Sequence, residues 1–356
     1  MVGTHWDISW HRSIGRDAFW TPAHVAIYMC GVLAGLSCGY LILSTTIDGA
    51  SPLRNAAVKI WGFRGPLGAF IAAWGGIAML TSAPFDNWWH NAYGLDVKIL
   101  SPPHVLLIAG MVGVQFGALV LILGQMNRAT DQARAKLEWL FLYVWAMIVV
   151  CLMILFFEYT LRIYMHSGFF YRIVSIAIPG VLAALARASG RRWAASIVIG
   201  MYSLFILGCL WILPLFPATP KLGPVYHQVT HFVPPEFPLL LIAPALALDW
   251  LWQRTGAWNR WLQAIISGLV FVAVLAAVQW PFADFLMSPA SRNWVFGTNY
   301  FDYNMRPNGY YARHMFVPLE KSAGQFWKEM AFAVFAAIIT TRAGMAWGNW
   351  MRRVRR

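Results

Sequence analysis

Six residues near the start of the chain have the types and spacing of metal ligands. Asp7, His11 and His24 form one set, with His24 inside Thr21-Pro22-Ala23-His24. Asp86, His90 and His104 repeat it, with His104 inside Ser101-Pro102-Pro103-His104. Each copy is Asp-x3-His, then a loop, then a Ser/Thr-Pro-x-His that opens a long apolar run. Residues four apart on a helix project from one face, so each Asp-x3-His offers a carboxylate and an imidazole to one point. The third donor then comes from the start of the next helix. Two imidazoles and one carboxylate suit copper, zinc or iron(II) and leave coordination positions open. Each Ser/Thr-Pro reads as a hydroxyl N-cap with proline at the first helical position. That places His24 and His104 in a first helical turn, where the helix dipole favours a bound anion. A single copy would be read as a capped helix with an interfacial histidine; the repetition favours metal.

A weaker third pattern follows. His227-x3-His231 precedes Val233-Pro234-Pro235-Glu236, with Glu236 in the place of the last histidine. It reads as a further ligand set or proton relay, or as an interfacial histidine pair beside a proline-bounded helix. Glu158, Arg162, His166 and Asp284 mark the boundary of apolar runs and read as ion-pair partners.

The elements that must position these residues are membrane helices. Hydrophobic residues make up 59% of the 356-residue chain and charged residues only 12%, about half the charge of a soluble domain. Nine apolar runs are long enough to cross a bilayer, at 23–45, 66–84, 104–125, 138–158, 172–188, 194–215, 236–252, 262–284 and 327–346. The expected fold is an all-α polytopic membrane bundle. Residues 1–125 form a three-helix metal-binding core, and 126–356 add six helices with a polar outer loop at about 285–325.

Charge sets the expected orientation. With the C-terminus cytoplasmic, that side holds 16 of the 27 basic residues, from Arg54, Lys59 and Arg64 to Arg352, Arg353, Arg355 and Arg356, against four acids. Nine spans then put the N-terminus outside. The net charge of +13 is mostly this topology signal, which excludes a nucleic-acid patch. All nine histidines fall on the outer side or at the outer end of a span. The expected location is a bacterial inner membrane with the metal sites facing the periplasm. Residues 1–20 show no cleavable signal peptide. The cysteines (30, 38, 151 and 209) lie in apolar runs and form no Cys-x2-Cys pair, which excludes sulfur-rich metal sites. Trp6, Trp10, Trp20, Trp88 and Trp89 surround the ligands, either as an interfacial belt or as a dry wall around a metal.

These residues resemble the C subunit of the copper membrane monooxygenases, the particulate methane and ammonia monooxygenases. That family carries Asp-x3-His-x12-His on consecutive membrane elements, the spacing of Asp7, His11 and His24. Thr21-Pro22-Ala23-His24 is similar to its Thr-Pro-Ser-His. Its following Asn-x3-His-x13-His matches Asp86, His90 and His104, with aspartate for asparagine. The resemblance covers residues 5–125. The chain departs from it by lacking the span that precedes the first motif and by adding about six later spans. It implies a copper site at the first triad, a second site beside it, and oxygen-dependent hydroxylation of a small or hydrophobic substrate. Membrane lipid, partner membrane subunits and a homo-oligomer are the expected partners. A non-enzymatic metal-holding or structural subunit of a larger complex is the alternative. A b-type cytochrome fits less well, because axial histidines pair across the membrane interior whereas these gather at one edge.

Overall fold

The computed structural model describes residues 1–94 and 100–355; Arg356 lies outside them. The fold is helical, as the apolar runs predict. Among the described residues, eight helical segments are long and apolar enough to cross a membrane. The chain divides into two compact units, one of residues 1–11, 17–148 and 352–356 and the other of 12–16 and 149–351. The boundary between these units falls inside a helix near residue 148.

In the first unit, α1 (Val2–Ser13) is a short helix ahead of the spans. The spans are α2 (Pro22–Ile47), α3 (Leu67–Tyr93), α4 (Pro102–Met126) and the first part of α5 (Asp131–Leu155). A two-stranded hairpin, β1 (Val58–Ile60) with β2 (Phe63–Gly65), joins α2 to α3. Its turn residues Trp61 and Gly62 both have positive φ, at 49° and 90°, as a two-residue hairpin turn of the primed type requires.

Glycine sets the spacing of α3 and α4. Gly68 and Gly75 on α3 face Gly110 and Gly117 on α4, seven residues apart on each helix. A Cβ on Gly117 would sit 2.6 Å from the Gly68 carbonyl oxygen, and one on Gly110 would sit 2.8 Å from that of Gly75. The backbones thus touch, as small residues permit where lipid offers no hydrophobic drive to associate. Gly76 of α3 meets Gly31 of α2 in the same way, 2.7 Å from its carbonyl oxygen. These contacts bring the end of α3 beside the starts of α2 and α4.

The second unit holds α6 (Gly168–Ser175), α7 (Ile178–Ala188), α8 (Ala194–Ile212), α9 (Ile242–Arg254), α10 (Arg260–Met287) and α11 (Ala323–Met351). Asp249 of α9 accepts from the Ser196 N–H at 2.8 Å and the Ser196 hydroxyl at 2.7 Å, so a buried carboxylate closes the start of α8.

The seventh expected span is only partly a helix. Residues 232–240 form neither helix nor strand before the 13-residue α9. Pro234, Pro235 and Pro238 explain this: proline lacks the N–H a helix needs and restricts the residue before it. The buried run finds partners elsewhere. The Val233 N–H donates to Ser13 Oγ at 2.7 Å and the Leu240 N–H to Gln279 Oε1 at 2.9 Å. Arg12 donates to the Pro234 carbonyl at 2.6 Å and to Asp302 Oδ1 at 2.6 Å.

Candidate metal centre

The first triad closes as its spacing predicts. Asp7 and His11 stand one turn apart on α1, and His24 lies in the first turn of α2. Among the described residues, theirs is the group whose donor atoms all lie within 4.8 Å of one another. His24 Nε2 is 3.0 Å from Asp7 Oδ1, and His11 Nε2 is 3.9 Å from Asp7 Oδ2.

The loop between the helices adds a carboxylate that helical spacing does not reveal. Asp17 Oδ2 lies 3.5 Å from His11 Nε2 and 3.3 Å from His24 Nε2, with its side chain only 4% exposed. The signal that could have found it is its place in the short connection between two ligands.

The capping residues differ from expectation. Thr21 and Ser101 occupy the N-cap positions with proline next, yet neither side chain caps its helix. Thr21 Oγ instead accepts from the Ala18 N–H at 2.8 Å. That bond folds the loop back, and the Ala18 carbonyl then accepts from His24 Nδ1 at 3.0 Å. A carbonyl can only accept, so Nδ1 carries a proton and Nε2 turns to the carboxylates. This is the arrangement by which a backbone carbonyl fixes the tautomer of a ligating histidine. Two acceptors 3.0 Å apart repel unless a proton or a metal ion lies between them.

The second triad centres on Asp86. Its Oδ1 is 3.6 Å from His90 Nε2 and 3.6 Å from His104 Nε2. His90 rides one turn beyond Asp86 on α3, and His104 sits in the first turn of α4. The two triads also interact: the Asp7 carboxylate feels the charge of His104, and Asp86 feels those of His24 and Asp17. Burial pushes the Asp7 carboxyl up. The protonated His24 ring 3.0 Å from Oδ1 and the charge of His11 outweigh burial and hold it below its ordinary range.

Four side-chain atoms of these triads are buried with no hydrogen-bond partner: Asp7 Oδ1, Asp86 Oδ1, His90 Nε2 and His11 Nδ1. Such groups are costly inside a protein. A bound cation would satisfy the first three, so the residues present fit a metal. Trp20 and Trp88 are 75% and 54% exposed, which is an interfacial belt and no sealed wall. His5, one turn before the first triad, is pushed down to about 4 by burial and makes no part of either set.

The third pattern does not assemble in the same manner. His231 is exposed and pairs with Thr230 at 3.0 Å. His227 stacks on Phe301, with ring centroids 5.0 Å apart. Glu236 accepts from the Arg162 N–H at 2.9 Å. The reason is local: Glu236 lies on the non-helical run 232–240, so it has no helix start from which to face the histidines. His166 is sandwiched between Trp280 and Phe316 at 4.1 and 3.8 Å and reaches Asp284 at 3.4 Å. Glu158 lines an open cavity of about 760 Å³ with Tyr164, Glu320 and Lys328.

No family model matches the chain, and neither a curated protein nor a solved structure matches it.

Proposed function

We propose that the chain is a metal-dependent oxidoreductase subunit of a bacterial inner membrane. In this reading Asp7, His11 and His24 hold one metal ion and Asp86, His90 and His104 a second, at the periplasmic edge. Copper is the metal the ligand set and the family resemblance favour, with zinc or non-haem iron as the other candidates. The observation that carries the reading is the trio of buried donor atoms without hydrogen-bond partners, distributed over both triads.

Bound copper would supply one-electron redox chemistry toward dioxygen. The chain's own residues do the rest. The carboxylates hold positive charge where α1, α2, α3 and α4 meet. The Ala18 carbonyl orients His24. The glycine contacts of α3 with α2 and α4 fix the separation of the ligands. The apolar faces of α2 and α4 give a small hydrophobic substrate a route from the bilayer. The orientation rests on the basic residues of the short loops, with the hairpin carrying Lys59 and Arg64 on the cytoplasmic side.

The test is metal-loaded protein, with any native partner subunits, assayed for dioxygen consumption coupled to an apolar substrate. Turnover supports the oxidoreductase. Metal bound without oxygen-dependent turnover would replace it with the metal-holding accessory subunit.

A further inference from the structure

The geometry points to Asp17 as a fourth protein donor of the first site, making it a closed, two-imidazole, two-carboxylate site selective for a divalent cation. This rests on the metal reading above and goes beyond it, because neither helical spacing nor the family motif includes Asp17.

Distances carry the inference. Four donors placed tetrahedrally about an ion at about 2.1 Å stand about 3.4 Å from one another. His24 Nε2 stands 3.0 Å from Asp7 Oδ1 and 3.3 Å from Asp17 Oδ2, and His11 Nε2 stands 3.9 Å from Asp7 Oδ2 and 3.5 Å from Asp17 Oδ2, so Asp17 reaches both imidazoles near that separation, as Asp7 does. Each imidazole Nε2 thus faces a carboxylate oxygen on either side. Asp17 is also held, not swinging: its neighbour Ala18 is tied by Thr21 Oγ at 2.8 Å, and its own side chain is 4% exposed.

Charge carries the rest. Asp7 and Asp17 together bring two negative charges to a site at a membrane edge, where uncompensated charge is expensive. A divalent ion makes the site neutral, whereas a monovalent ion leaves one charge over. The donors are also oxygen and imidazole with no sulfur, which disfavours copper(I) and suits copper(II) or zinc. A site closed by four protein donors has the character of structural metal sites, which keep no vacant position. Chemistry that needs a vacant position then falls to Asp86, His90 and His104.

The experiment isolates the first site by working in a His90→Ala/His104→Ala background. Zinc(II), copper(II) and copper(I) are titrated by competition against chelators of known strength, for Asp17 and for Asp17→Asn. The expected result is a loss of divalent affinity of roughly tenfold or more in Asp17→Asn, with copper(I) affinity nearly unchanged. Asp17→His is the second variant. If Asp17 is a donor, the copper(II) spectrum of Asp17→His gains a third coupled imidazole nitrogen. Unchanged divalent affinity in Asp17→Asn, or two coupled nitrogens in Asp17→His, overturns the inference while leaving the triad intact. A parent protein that binds no metal at all overturns the metal reading as well, so the two failures are distinct.

Discussion

His24 presents its Nε2 to Asp7 Oδ1 at 3.0 Å while its Nδ1 is committed to the Ala18 carbonyl at 3.0 Å. The tautomer is therefore set by the backbone, and the ring nitrogen that remains faces a carboxylate. The same logic extends to Asp86, whose Oδ1 is equidistant from two imidazoles and has no hydrogen-bond partner.

Asp86→Asn keeps an oxygen donor of the same shape and restores the residue type of the resembling family. Metal should stay at the second triad with modestly weaker affinity. Asp86→Ala removes the oxygen that both imidazoles face and should empty that triad. Metal content of the two variants, measured side by side, checks this; equal loss in both would show that Asp86 acts through its charge alone.

Gly117→Leu adds a side chain where α4 touches α3. Overpacking of this kind costs about 1–3 kcal/mol, and more where backbone must move. The expected outcome is a lower midpoint of thermal unfolding in detergent and weakened metal binding at the second triad, although no ligand is altered. Wild-type stability and metal affinity in Gly117→Leu would show that the glycine contact does not position His90 and His104.

Much of this was legible because it is periodic. A carboxylate and a histidine four residues apart need only a helix to converge, and α1 and α3 supply it. Pro22 and Pro102 announce helix starts because proline tolerates the first turn. Asp17 was not legible, since a loop has no period and its conformation depends on bonds such as those of Ala18 with Thr21 and His24. Residues 12–16 were equally hidden. They sit beside ligands in sequence, yet Arg12 pairs with Asp302, a contact across 290 positions that no local pattern announces. The seventh span was misread as fully helical because apolar content outweighed three prolines. The third histidine set does not gather as the triads do, as its glutamate sits on the non-helical run those prolines impose.

That seventh segment still has to cross if the charge bias is right. Its 13-residue helix spans only about 20 Å of a core about 30 Å thick. The non-helical run 232–240 supplies the missing length, and its Val233 and Leu240 N–H groups find partners inside the protein, as a membrane demands. Accessibility tags after Lys221 and after Gly256 should therefore report opposite sides of the membrane. The same side for both would remove the crossing and with it the assignment of opposite sides to the two termini.

His314 offers a pH test away from the metal ligands. Burial, then the charges of Arg162 and Arg292, push its imidazole down to about 4. The unfolded chain titrates near 6.5. Between those values the unfolded state binds a proton that the folded state refuses, so this stability is present above pH 6.5 and lost as pH falls toward 4. His314 also has φ of 51°, a conformation asparagine tolerates well. His314→Asn should flatten the decline of stability between pH 6.5 and 4, measured by thermal unfolding across that range. An unchanged slope would show that another group carries the acid sensitivity.

The most direct test of the central claim is metal stoichiometry of the purified protein against His11→Ala and His90→Ala. Each variant removes one imidazole while leaving the apolar spans that direct insertion. The account predicts about two ions per chain in the parent and about one in each variant, with normal membrane insertion throughout. A parent that holds no metal under saturating copper and zinc, or variants that hold as much as the parent, would contradict it.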